Sequence, residues 1–158
     1  MSLKYKKNNL NICVIGGGYI GLPIAVAFVK KKIKVILYDI NKKRIYTLKK
    51  NIDYNNETNL RDIKHLKKIK FTNKLNDIKN SNIYIITTPT PVTKNNKPDL
   101  TFIKSASKSV GSYLKNNDLV IYESTVYPGL TEKICLPILE KYSKLSCSEG
   151  KLKKNVFH

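Results

Sequence analysis

From Ile12 to Val29 the chain carries no charged residue, yet Gly16, Gly17, Gly18, Gly21 and Pro23 fall in the middle of that run. An apolar stretch of this length invites comparison with a membrane-spanning or secretory helix. The lysine-rich start before it and Ala25-Val26-Ala27 within it, which resembles a signal-peptidase site, strengthen the comparison. The glycines and the proline argue against it, because an interior glycine costs a helix about 1 kcal/mol relative to alanine and a proline about 3. A buried strand, a tight loop and a buried helix make an equally long apolar run without that penalty. No membrane insertion is expected.

The rest of the chain repeats the alternation. After a basic leader (1–9), Asn11 to Ile15 reads as a strand, Ile20 to Lys31 as a helix and Ile33 to Tyr38 as a second buried strand. Asn41 is placed to cap a helix that turns Ile45 and Leu48 inward. Glu57 to Lys67 has helical spacing, Ile69 to Phe71 reads as a short strand, and Asn82 to Thr87 is a strand stopped by Pro89 and Pro91. Asp99 is placed to cap a helix with Ile103, Ala106, Val110 and Leu114 on one face. Asp118 to Tyr122 is a further strand, and Thr131 a cap for a last helix that Pro137 should kink. Such alternation predicts an α/β fold: a Rossmann-like, doubly wound parallel sheet with helices on both faces, spanning 10–145 and stopping before a sixth strand. The pattern fails in a divergent polar tail, 146–158.

Charge and cysteine content narrow the function classes. The net charge of +19 would suggest nucleic acid, but apart from Arg44 and Arg61 every basic residue is lysine, interleaved with Asn and Ile as AT-rich codons produce. Phosphate readers favour the bidentate guanidinium, so no specific nucleic-acid partner is expected. Cys13, Cys135 and Cys147 are an odd count without metal-ligand spacing. They predict neither disulfides nor a metal site, and they suit a reducing cytoplasm.

The glycines have a chemical reading. Gly16-Gly17-Gly18-Tyr19-Ile20-Gly21 satisfies G-x-G-x-x-G between a strand and a helix, and Asp39 ends the next strand 18 residues beyond Gly21. Gly16 permits the turn, Gly18 lets backbone approach a pyrophosphate, and Gly21 lets helix and strand pack closely. Amides at the helix start then hold phosphates without a lysine. Asp39 is positioned to accept both adenosine ribose hydroxyls and to repel a 2′-phosphate, so NAD is the expected cofactor. Lys42, Lys43 and Arg44 follow closely enough to accommodate the 2′-phosphate of NADP as an alternative. Thr87 to Pro91 and Glu123 to Gly129 are two further strand-end junctions facing the same crevice. Their threonines, serine and prolines fit turn chemistry as readily as a site.

Taken together, these segments resemble the UDP-glucose/GDP-mannose dehydrogenase family. The resemblance rests on Gly21-Leu22-Pro23, Tyr38-Asp39-Ile40-Asn41 with Arg44-Ile45, Thr88-Pro89-Thr90-Pro91 with Pro98-Asp99-Leu100, and Tyr122-Glu123-Ser124-Thr125-Val126-Tyr127-Pro128-Gly129. The wording is most similar to UDP-N-acetylhexosamine 6-dehydrogenases of surface-polysaccharide synthesis. The resemblance implies that Gly16, Gly17, Gly18, Tyr19, Ile20, Gly21 and Asp39 bind NAD, with Arg44 beside the adenosine. It places Thr88, Thr90, Ser124 and Thr125 at the nicotinamide half, with Thr125 also next to the reacting sugar. It further implies oxidation of a sugar C6 alcohol to a carboxylate by two NAD, through an aldehyde, a thiolate adduct and hydrolysis of a thioester.

The same resemblance marks what is missing. The family's Gly-Tyr-Ser-Pro-Glu-like motif, its lysine-bearing central dimer helix, its nucleophilic cysteine and its UDP-binding domain have no match here, where Ser146-Cys147-Ser148-Glu149-Gly150-Lys151 leads to the end at His158. The expectation is an NAD-binding domain that is not catalytically complete alone, meeting UDP-sugar only within a full-length enzyme. A non-catalytic remnant or binding module that keeps the fold is the alternative.

Overall fold

A computed structural model describes residues 9–54, 62–93, 95–147 and 156–157. Five parallel strands form one sheet: β1 (Asn11–Ile15), β2 (Lys34–Tyr38), β3 (Lys70–Thr72), β4 (Ile83–Ile86) and β5 (Leu119–Tyr122), in the order β3-β2-β1-β4-β5. Pairing is in register from Asn11 opposite Lys34 to Ile15 opposite Tyr38, and Ile15 also lies opposite Ile86.

Apart from Asn11 at its start, the central pair β1 and β4 is apolar because both of its faces are covered. Side chains alternate across a strand. Thus Ile12 and Val14 of β1, with Ile83 and Ile85 of β4, enter one core with Leu22, Val26 and Val29 of α1 (Gly21–Lys30) and Ile45 and Leu48 of α2 (Lys42–Lys49). Cys13 and Ile15, with Tyr84 and Ile86, enter the other with Ile103, Ala106 and Val110 of α4 (Thr101–Gly111) and Leu139 of α5 (Leu136–Ser143). The short α3 (Ile63–Leu66) packs against α1. Each fully buried Leu, Ile or Val contributes about 1.5–3 kcal/mol of transfer free energy. The two-sided burial therefore makes the central strands the most strongly held part of the fold.

Local signals succeed where a side chain caps within its own turn. Asn41 Oδ1 accepts the Arg44 N–H at 3.1 Å as the N-cap of α2, whereas the N-cap of α4 is Leu100, with no side-chain cap, and the expected Asp99 instead closes the turn just ahead of it, its Oδ1 accepting the Thr101 N–H at 2.9 Å. Thr131 does not cap the last helix. It opens a π-helical turn, Thr131–Cys135, and no side chain caps that start. The wide turn also resolves Pro137: the Leu136 N–H bonds to the Thr131 carbonyl five residues back, and Pro137 then falls in the first turn of α5, where a missing N–H costs little. Of the helix expected over 57–67, residues 57–61 lie outside the described residues, and helix is present over Ile63–Leu66. In the tail, where no pattern was expected, β6 (Ser146–Cys147) pairs in parallel with β7 (Val156–Phe157), apart from the main sheet. Glu140 Oε1 accepts the Cys147 N–H at 2.9 Å and ties β6 to α5.

Asp118 lies one residue before β5 rather than inside it, 4% exposed, its Oδ2 accepting the Lys115 N–H at 2.9 Å. Burial pushes its carboxyl up from 3.8 to about 6, against the opposing pull of that amide and of Lys115. A carboxyl that holds its proton more tightly when folded loses stability as pH rises between those two values, and the loss persists above them. Asp118→Asn keeps an acceptor for Lys115 and removes the buried charge. Urea unfolding should therefore show the variant about 1–2 kcal/mol more stable at pH 7.5, part of the ~3 kcal/mol that two units represent, and equal to the parent at pH 4.

Candidate functional site

The sheet order reverses direction between β1 and β4: the chain runs outward through β2 and β3, then returns to lay β4 on the other side of β1. Loops leaving the carboxyl ends of β1 and β4 therefore diverge, which opens a crevice at that point in a doubly wound sheet. A cavity of about 1060 Å³ occupies it, lined by Gly16 to Ile20 after β1, Asp39 to Asn41 after β2, Thr87 to Pro91 after β4 and Thr125 to Tyr127 after β5.

The glycines have distinct physical roles. Gly16 adopts φ +109°, a conformation that side chains rarely allow. A Cβ on Gly21 would lie 1.9 Å from the Gly16 carbonyl oxygen and 2.5 Å from Thr87 Oγ1, so the start of α1 rests directly on β1 and the β4 loop. A Cβ on Gly18 would meet nothing within 4 Å. Among the described residues the Gly18 N–H also has no acceptor. No contact inside the protein requires glycine at this position, and its amide is left without a partner in the crevice wall, as a cradle for an approaching pyrophosphate requires.

Asp39 is fixed by the same loop. Its Oδ2 accepts the Gly17 N–H at 2.7 Å and its Oδ1 accepts the Asn41 N–H at 2.8 Å. A carboxylate has about four lone-pair sites, so acceptor capacity for ribose hydroxyls remains on both oxygens. Tyr38, next to it in the crevice wall, has its phenol pushed up by burial first and by the Asp39 charge second.

The remaining expected residues divide between wall and support. Thr88, Thr90 and Thr125 line the crevice with Tyr19 and Ile20, whereas Gly21, Arg44 and Ser124 do not. Ser124 is 8% exposed and donates its hydroxyl to the Thr88 carbonyl at 2.7 Å; Thr90 Oγ1 donates to the Thr125 carbonyl. These two bonds tie the β4 and β5 loops together. Thr88 Oγ1 is shielded from solvent and has no partner, leaving a polar atom in the wall for which a bound group can supply one. Arg44 is drawn beneath the glycine loop, its Nε donating to the Gly17 carbonyl at 2.9 Å and its Nη1 to Asp53 Oδ1 at 2.8 Å.

Sequence reasoning missed several contributors. Asp53 follows α2 in no periodic pattern and gave no signal. Phe102, Ser105 and Ser109 form part of the crevice wall from α4, and their three- and four-residue spacing, one position before the core face, is the signal that finds them. Thr87, read only as a junction residue, lies within hydrogen-bonding distance of the Ile15 and Gly16 carbonyls, at 3.0 and 3.1 Å. The cysteines are elsewhere. Cys13 and Cys135 are buried with thiols pushed up chiefly by burial, Cys147 is half-buried, and none lines the crevice or forms a disulfide.

Comparison with known proteins agrees with this architecture. A sequence profile described as the UDP-glucose/GDP-mannose dehydrogenase family, NAD binding domain, matches residues 10–157. A UDP-N-acetyl-D-glucosamine 6-dehydrogenase of Pseudomonas aeruginosa is 46% identical over 141 residues, covering 89% of this chain and 33% of that protein. Protein CapL of Staphylococcus aureus is 48% identical over 141 residues, again covering 89% and 33%. The solved structure of a UDP-D-ManNAc dehydrogenase from Pyrococcus horikoshii superposes with a TM-score of 0.81 at 33% identity, covering 93% of this chain and 34% of that one. The chain thus spans about a third of the length of the curated relatives it matches.

The last two glycines of the loop, Gly18 and Gly21, separate folding from binding. Gly21→Ala forces a Cβ into backbone and should cost about 3 kcal/mol or more in urea unfolding. Gly18→Ala should unfold within about 0.5 kcal/mol of the parent, yet lose tenfold or more in NAD affinity by calorimetry.

Proposed function

Because the chain belongs to the UDP-glucose/GDP-mannose dehydrogenase family, as its NAD-binding domain, we infer that it is the cofactor-holding part of an NAD-dependent UDP-N-acetylhexosamine 6-dehydrogenase. The observation that carries this reading is the glycine loop and Asp39 locked together at the mouth of the crevice through the Gly17 N–H. The residues fit a dinucleotide: Gly18 offers an unpaired amide in the crevice wall, Asp39 keeps lone pairs for a ribose, and the wall carries the orphaned Thr88 hydroxyl. NAD, when bound, supplies the acceptor for the electrons removed from an alcohol.

This chain's own residues hold and orient. The Gly18 amide and the start of α1 present donors and a positive dipole end to the phosphates. Asp39 accepts the adenosine ribose hydroxyls and its charge disfavours a 2′-phosphate. Thr88, Thr90 and Thr125 form the wall at the nicotinamide half. Thr125, exposed in the crevice wall three residues beyond β5, holds a water or sugar hydroxyl there in this reading. Ser124 acts from behind, by fixing the Thr88 carbonyl. The nucleophilic thiolate of the reaction comes from outside this chain, since its three thiols lie off the crevice and two are buried with raised pKa. A UDP-N-acetylhexosamine substrate, a dimeric enzyme and a cytoplasmic setting complete the proposal. The relatives' names support the first.

Calorimetric titration should show NAD bound at least fivefold tighter than NADP. Asp39→Ala should weaken NAD about tenfold, the loss of about 1.4 kcal/mol, and should abolish the preference. No NAD binding at millimolar concentration overturns the reading. With NAD and UDP-N-acetylglucosamine, the 158-residue chain alone should generate no NADH absorbance; turnover would overturn the assignment of the thiolate to another part of the enzyme.

A further inference from the structure

Arg44 is the feature that the binding role described so far leaves unexplained. Its side chain is 9% exposed, its ion-pair partner Asp53 is 3% exposed, and it makes no part of the crevice lining. Burying an arginine and a carboxylate is costly unless the pair is well bonded and does something that apolar packing cannot. The pair is well bonded. Arg44 Nη1 meets Asp53 Oδ1 at 2.8 Å while Nε donates to the Gly17 carbonyl at 2.9 Å.

The Gly17 carbonyl shares its peptide group with the Gly18 N–H. That peptide is trans, like every described one, so its C=O and N–H point in opposite directions. With the oxygen held by Arg44 on one side, the Gly18 amide is held to the opposite side, where among the described residues it meets no acceptor, at a residue that lines the crevice. The Gly17 N–H is held separately by Asp39 Oδ2 at 2.7 Å, so both faces of Gly17 are fixed by charged side chains. A cation on a carbonyl also polarises the peptide and strengthens its N–H as a donor. Resting on the dinucleotide reading above, we propose that Arg44 is a positioning residue: clamped by Asp53, it aims and polarises the Gly18 amide for a pyrophosphate without touching the ligand.

The proposal differs from a direct adenosine contact in which ligand it affects. Adenosine has no phosphate and should be indifferent to the clamp, while ADP and NAD depend on it. Lysine at position 44 keeps the charge but lacks the planar fork that reaches both Gly17 and Asp53. The experiment titrates adenosine, ADP and NAD into the 158-residue chain and its Arg44→Lys variant, followed by amide NMR. ADP and NAD should weaken tenfold or more, adenosine should change less than twofold, and the free Gly18 amide proton should move upfield as its peptide loses polarisation. Equal loss of adenosine and ADP, or undiminished ADP binding, would overturn the proposal. Should Arg44→Lys fail to fold, Asp53→Asn retains an acceptor for Nη1 and loosens the clamp. It should shift the Gly18 amide the same way and weaken ADP about threefold, and an unmoved Gly18 resonance with ADP affinity intact would count against the clamp. Failure of the parent chain to bind ADP or NAD overturns the dinucleotide reading instead, leaving the Gly18 shift to judge the clamp.

Discussion

Everything at the crevice depends on one close approach, that of α1 to the end of β1. The chain leaves a strand buried on both faces at Ile15 and is inside a buried helix by Gly21. Only a residue without Cβ fits there, with the Gly16 carbonyl 1.9 Å from where that atom would be. Thr87, at the end of β4, seals the contact from the other side through the Ile15 and Gly16 carbonyls. The turn is thereby pinned to two strands at once. Its free amides are left facing the gap that the reversal of strand order creates.

Around that turn the polar residues fall into an outer and an inner set. The outer set, Gly18, Asp39, Thr88, Thr90 and Thr125, faces the crevice. The inner set, Arg44, Asp53 and Ser124, is buried or nearly so and lies off the crevice: Arg44 and Ser124 donate to main-chain carbonyls of the loops and Arg44 pairs with Asp53, while Thr87, in the crevice wall, also bonds to main-chain carbonyls of β1 and the glycine loop. Loops carry few apolar contacts of their own, so their geometry has to come from such bonds. A site made from four separate strand ends needs its supports as much as its contacting groups, because a loop displaced by an ångström no longer presents its amide.

Local signals in the sequence corresponded to local structure. The cap at Asn41 and the turn closed by Asp99 act within three residues, and β1 falls where its uninterrupted apolar run placed it. Thr131 failed for a physical reason of the same scale. The helix there begins with a π-turn that accommodates Pro137, and a cap position counted on α-helical spacing is then wrong. The tail failed differently: two-residue strands are too short to leave a periodic trace, and β6 is held by Glu140 rather than by pattern.

The sequence by itself determined the alternation of strand and helix, the glycine turn and the carboxylate beyond it, because each follows from spacing along the chain and from which residues a tight turn or a two-sided strand tolerates. The family resemblance added Arg44 and Ser124 as candidate residues of the site. Only the tertiary structure decided on which side of the loops they lie. Arg44 meets Gly17 across 27 residues and Ser124 meets Thr88 across 36. Whether such a side chain faces a ligand or braces the backbone from behind depends on where the sheet brings those segments together, and spacing carries no information about that.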